Sequence, residues 1–151
     1  MPGPARSGVL FYALDLERMS TFYQRVLGMR LLAADTQHHV IASDDAQLII
    51  HAIPPHIAAT VRVTEPPRVR EEQAIKPFFS VRSLEASALA ATALGGAVFG
   101  PMYSGPGFAV RNAHDPEGNV FQLREWTRAV DAEGPAAGAL GSGAPDGKPV
   151  R

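Results

Sequence analysis

An internal repeat restricts this chain more than any other feature. The short apolar run Val9 to Leu14 leads into an amphipathic stretch, and after a Pro-rich interval Ile75 to Val81 leads into another. Asp15 at the head of the first stretch recurs as Ser83, and Gly28 at its end recurs as Gly96, both 68 positions on. Asp and Ser cap helix N-termini through their side-chain oxygens, and glycine closes helix C-termini because it tolerates the left-handed conformation. A repeat that keeps register across both a strand and a helix implies two copies of one supersecondary unit, stacked to bury a common core.

In the first unit Met19, Phe22, Tyr23, Val26 and Leu27 recur at three- and four-residue spacings, which predicts a helix over about Leu16 to Leu27. Met29 to Ala33, Val40 to Ser43 and Gln47 to Ile53 read as strands, the last two joined by a turn at Asp44-Asp45-Ala46. The second unit has a helix over Leu84 to Leu94 and strands at Val98 to Phe99, Phe108 to Arg111 and Asn119 to Trp126, with a turn at Asp115-Pro116-Glu117-Gly118. The expected organisation is a leader over residues 1–8, a βαβββ module over 9–53, a connector over 54–74, a second module over 75–128 and a disordered Gly-, Ala- and Pro-rich tail over 129–151. The connector carries four Pro, with a short helix expected near His56 to Ala59 and an extended stretch at Val61 to Val63.

Composition removes several classes of function. Fourteen Lys and Arg against fifteen Asp and Glu leave a formal charge of −1, so there is no general attraction to nucleic acid or anionic lipid. The chain has no Cys, which excludes disulfides, thiol catalysis and cysteine-based zinc sites. No apolar run approaches the roughly 20 residues of a membrane helix, and a cytoplasmic location is expected.

Three stretches carry a family resemblance: Asp15-Leu16-Glu17-Arg18-Met19-Ser20-Thr21-Phe22-Tyr23, then Val26-Leu27-Gly28-Met29, and late in the chain Asp115-Pro116-Glu117-Gly118-Asn119-Val120-Phe121-Gln122-Leu123. Across about Val9 to Glu125 the chain resembles the glyoxalase/bleomycin-resistance/dioxygenase (vicinal oxygen chelate) superfamily. That implies an α+β fold in which two βαβββ modules form a curved mixed sheet around a cup, with helices on the outer face.

The resemblance also implies where a metal would sit, because metal-binding members take one ligand from the first strand and one from the fourth strand of each module. Those positions fall here on Gly8, at or near Ile49, where a shift of two residues would bring His51, on Lys76 and on Gln122. Glycine and isoleucine donate nothing and an ammonium repels a cation, so only Gln122 is a plausible ligand and no metal is expected. Strand alternation puts Gly8, Leu10, Tyr12, Gln47, Ile49, His51, Lys76, Phe78, Ser80, Arg82, Val120, Gln122 and Arg124 on the cup side, and leaves Val9, Phe11, Leu48, Ile50, Phe121 and Leu123 under the helices.

The expected ligand-binding residues are therefore Tyr12, Ile49, His51, Lys76, Phe78 and Gln122, with no catalytic residue assigned and no cofactor expected. His51 is a candidate contact or general base, and Lys76 could attract a carboxylate, enolate or phosphate in place of the missing cation. His38 and His39 are adjacent and point to opposite faces, which argues against a shared role. His56 and His114 read as loop and turn residues, and Arg62, Arg68 and Arg70, interspersed with Glu65, Glu71 and Glu72, as a solvated surface.

Two functions follow. One is a metal-independent small-molecule binding protein of the antibiotic-sequestering kind. The alternative is a metal-dependent lyase or dioxygenase of the superfamily acting on vicinal oxygens, with a divalent metal as its cofactor. Whether the chain is an enzyme stays open at this point. The expected partners are a small molecule and a second copy of the chain, with no nucleic acid and no membrane, and the two modules could pair within one chain or between chains.

Overall fold

The structure, a computed structural model, describes residues 7–127. The expected tail and the first six residues of the expected leader lie outside them.

Each module starts with a strand and a capped helix. In β1 (Gly8–Ala13) side chains alternate between the interior and the open face, and Asp15 then starts α1 (Leu16–Leu27) by accepting a hydrogen bond from the Arg18 N–H at 3.0 Å. Ser83 does the same for α3 (Leu84–Ala93), accepting from the Ala86 N–H at 3.1 Å. The N-caps thus obey the 68-residue repeat, but the C-termini do not. Gly28 ends α1 with φ +67°, whereas α3 has ten residues against twelve and the left-handed position falls on Gly95, φ +90°, one residue before the glycine that the repeat picks out.

The first module continues through β2 (Arg30–Ala34), β3 (His38–Ala42) and β4 (Gln47–Ala52). A single short turn of helix, α2 (Pro55–Ala58), opens the connector, and the stretch expected to be extended at Val61 to Val63 joins no strand. The second module supplies β5 (Phe78–Ser80), β6 (Ala97–Gly105), β7 (Phe108–His114) and β8 (Val120–Trp126). Strand order is β1-β4-β3-β2 in one sheet and β5-β8-β7-β6 in the other; the first and last strands of each module pair in parallel and the remaining neighbours are antiparallel. The fold is the expected α+β arrangement of two βαβββ modules, each module contributing its own four-stranded mixed sheet.

Two strands differ from expectation for local reasons. β5 is only three residues long, because Pro77 lacks an N–H and the Gln73 side chain takes over the edge ahead of it. The Gln73 carboxamide accepts from the Val120 N–H at 2.8 Å and donates to the Val120 carbonyl, standing in for a strand residue. β6 is nine residues long and runs through Gly100-Pro101, with its register slipping between Val98 and Met102. β6 is an edge strand, where proline at a bulge costs no ladder bond.

The core lies between the sheets and the two helices. Met19, Phe22, Tyr23, Ile41, Leu48, Ile50, Phe121 and Leu123 are almost completely buried. Tyr23 lies edge-on to Phe22, stacks on Phe11 with centroids 5.1 Å apart and packs against Phe121 of the second module. Aromatic contact of this kind adds on the order of 1 kcal/mol per pair to the burial itself.

Polar bonds fix the modules to each other inside this apolar layer. The buried Tyr23 hydroxyl donates to Asp115 Oδ2 at 2.7 Å, and Asp115 also accepts from the Glu117 and Asn119 N–H groups and from Asn119 Nδ2. One residue past the proline, the Glu117 carboxylate accepts from the Leu14 and Asp15 N–H groups at 2.7 to 3.1 Å. The Asp-Pro-Glu-Gly-Asn turn therefore reverses the chain and also fastens the second module to the N-terminus of α1.

Candidate functional site

The face of each sheet turned away from the helices is open, and its residues form cross-strand rows. On the first sheet the rows are Gly8–Gln47–Ala42, Leu10–Ile49–Val40 and Tyr12–His51–His38. Alternation is clear in the burial: Leu48 and Ile50 are fully buried, Ile49 and His51 half-buried, and Tyr12 is 59% exposed. On the second sheet Phe78, Gln122 and Asn112 form one row, Ser80, Arg124, Val110 and Tyr103 the next, and Trp126, Phe108 and Gly105 the last.

The six residues singled out from sequence fall into two groups and an outlier. Tyr12, Ile49 and His51 share the first face, where the Tyr12 and His51 rings lie 5.3 Å apart. Phe78 and Gln122 are register partners on the second. Lys76 is exposed and precedes β5, because that strand begins at Phe78 and not at Ile75.

His51 Nδ1 lies 2.7 Å from the Ala52 carbonyl oxygen, which can only accept, so Nδ1 is the donor of this bond. The ring of His38 stands edge-on to that of His51, with centroids 4.2 Å apart. Adjacency argues against a shared role for His38 and His39, yet β3 places His38 beside His51. His39 does point the other way as expected, buried with Nε2 3.4 Å from Glu17.

On the second face the Arg124 guanidinium lies over the Phe78 ring, 3.8 Å from its centroid, and 5.7 Å from that of Phe108. Buried Arg124 Nε and Asn112 Oδ1 have no hydrogen-bond partner. Asn112 faces the β6 bulge, where the register gap leaves it without a partner residue on β6. Clefts elsewhere are lined differently: one of about 820 Å³ beside the connector holds Arg62, Arg68 and Arg70 against Glu71, Glu72 and Glu117, a mixed-charge surface. A smaller one of about 240 Å³ is lined by Phe78, Phe79, Ser43, Asp45, Leu27 and Met29, among others.

The family model of the glyoxalase-like domain matches residues 8–124. The chain belongs to the glyoxalase-like domain family. Among solved structures, this glyoxalase-like chain is similar to a glyoxalase/bleomycin resistance protein/dioxygenase family enzyme from Burkholderia phytofirmans PsJN, at 20% identity over 82% of this chain and 99% of that one, with a TM-score of 0.58. It is similar to a glyoxalase/bleomycin resistance protein from Albidiferax ferrireducens T118, at 19% identity over 79% and 96% of the two chains, TM-score 0.58. A third likeness is to the fosfomycin resistance protein FosX from Mesorhizobium loti, at 16% identity over 83% and 93%, TM-score 0.56. At these identities the likeness is one of fold. No curated protein matches the chain.

A divalent metal of the kind the superfamily resemblance implies does not fit the residues this glyoxalase-like chain offers. A Cβ built on Gly8 would meet the Gln47 carbonyl oxygen at 2.8 Å, so a side chain at that position requires the β1–β4 backbone to shift. Ile49 is apolar, Lys76 is cationic and lies outside the strand, and Gln122 alone could donate an oxygen. Among the described residues no three His, Cys, Asp or Glu side chains converge on a point where an ion could be held. No helix among them is long and apolar enough to cross a membrane.

Proposed function

We propose that this protein binds a small molecule on the open faces of its sheets without a metal, as a cytoplasmic homodimer and in the manner of a sequestering protein. The crowding at Gly8 carries the proposal. A ligand there would be one of several donors that must converge on an ion, and the chain closes that position with backbone.

The make-up of the faces supports the same function. Each pairs exposed aromatic surface (Tyr12, Phe78, Tyr103, Trp126) with a few polar groups (His51, Gln122, Arg124), the mixture that small-ligand sites use for affinity and orientation. A homodimer is supported by the exposed apolar side chains of these faces, Leu10, Tyr12, Phe78, Tyr103 and Trp126, since contiguous exposed apolar surface commonly marks an interface. Covering one chain's open face with its partner would also turn a shallow surface into an enclosed cleft.

The deciding experiment is metal analysis of protein purified without chelator or nickel resin, with thermal melts in the presence of Mn, Fe, Ni and Zn. Metal-free protein whose melting temperature does not rise with any of the four ions is expected. A stoichiometric ion, or a metal-dependent rise, would overturn the proposal in favour of a metal-dependent lyase or dioxygenase.

A further inference from the structure

We infer that Arg124 is an anion anchor and that the molecule bound on the second sheet's open face carries a carboxylate attached to an aromatic body. This rests on the open faces being small-molecule surfaces and names the class of molecule.

Three observations converge on Arg124. Its guanidinium carbon lies over the Phe78 ring, 3.8 Å from the centroid, with Phe108 at 5.7 Å, so aromatic packing holds the head group at this face. Its Nε is buried and has no hydrogen-bond partner, so the protein itself does not neutralise this cation there. No carboxylate among the described residues lies within 4.0 Å of it. The acidic neighbour in sequence, Glu125, points to the other side of the strand and accepts from the Leu84 N–H at 2.7 Å.

An arginine whose charge has no carboxylate partner while aromatic packing holds its head group in place suits a planar, two-oxygen anion, which a carboxylate meets with two parallel bonds. The neighbouring surface completes the description of the ligand. Phe78, Tyr103 and Trp126 are each more than half exposed on the same face, and Trp126 lies edge-on to Phe108 with centroids 5.9 Å apart. Tyr103 and Trp126 offer flat apolar area for a ring beside the Phe78 face that Arg124 covers. Gln122 and the unpartnered Asn112 carboxamide, in the adjacent row, supply hydrogen bonds to polar substituents beside the carboxylate.

Trp126 is the chain's one tryptophan, so its emission reports on this face directly. Full-length protein titrated with benzoate and 2-naphthoate, against the neutral benzamide and 2-naphthamide, is expected to bind the acids at least about tenfold more tightly than the amides. Binding would be followed by Trp126 emission and by ligand-detected NMR. Arg124→Gln should abolish the preference for the acids, Arg124→Lys should keep part of it, and Arg82→Gln, which removes a positive charge from an exposed site, should leave it intact. Thermal melts verify that each variant is folded.

Equal affinity for acids and amides, or an unchanged preference in Arg124→Gln, would overturn the anchor while leaving small-molecule binding in place. Equal losses in Arg82→Gln and Arg124→Gln would overturn it by reducing the effect to net charge. Failure of acids and amides alike also overturns it, and a simultaneous metal-dependent rise in melting temperature would overturn the metal-free function with it.

Discussion

The Tyr23 hydroxyl and the Asp115 carboxylate meet in the driest part of the molecule, and burial acts on both. Burial lifts the Asp115 carboxyl above the ordinary carboxylate range, while the bonds from Tyr23 and Asn119 pull it down; burial and the nearby carboxylate lift Tyr23 well above the usual phenol range. Folded protein thus holds the Asp115 proton to a higher pH than the unfolded chain. Stability contributed by this group falls as pH rises from the unfolded to the folded pKa, then levels off. Tyr23→Phe removes a bond that favours the ionised form and so raises the folded pKa further. It should cost about 1.5–3 kcal/mol at neutral pH, and distinctly less in acid where Asp115 is protonated, measured by urea unfolding at both. At the open face the telling substitution is Gly8→His. Although histidine is a good metal ligand, the variant should lose about 1–3 kcal/mol to the clash with Gln47 and gain no metal-dependent rise in melting temperature.

The two helices occupy equivalent places in the repeat but are built differently. α1 has one apolar face, whereas α3 is apolar nearly all round and leaves Leu89 69% exposed while Ala91 is fully buried. Leu89→Glu should change stability by less than about 0.5 kcal/mol, and Ala91→Leu should cost about 1–3 kcal/mol by overpacking, both read from denaturant midpoints. Caps, helices and the final hairpin were legible in the sequence because their signals are local: Asp15 and Ser83 cap where expected, and the Asp-Pro-Glu-Gly turn falls in place. β6 was legible only as Val98 to Phe99, since Gly100-Pro101 reads as a break and only edge position explains how the strand continues. β5 was read too long because the glutamine that replaces its first residues pairs with Val120, 47 positions away. Alternation gave the side of the sheet on which each residue lies, Tyr12 and His51 with Phe78 and Gln122 on the open side, while the rows came from the register. Alternation along one strand gives no cross-strand neighbours, so the His38–His51 contact and the Arg124–Phe78 stack needed the register.

Four carboxyls of the described residues divide by burial. Asp115 and Glu117 are raised chiefly by desolvation, while Asp35 is lowered by the Gln37 and His38 N–H groups and Glu65 by Arg18. The buried pair makes the fold tolerant of mild acid; the exposed pair opposes this weakly because solvent screens it. Sedimentation equilibrium is expected to give a mass near twice that of the 16.1 kDa chain, and a single-chain mass would refute the homodimer. The Glu117 clamp has a further consequence, for the order in which the protein can be made. The backbone groups it holds, at Leu14 and Asp15, leave the ribosome about a hundred residues before it does. The first module is therefore finished by its last-synthesised neighbour, and a fragment ending at residue 74 should show little helical circular dichroism until the remainder of the chain is supplied in trans.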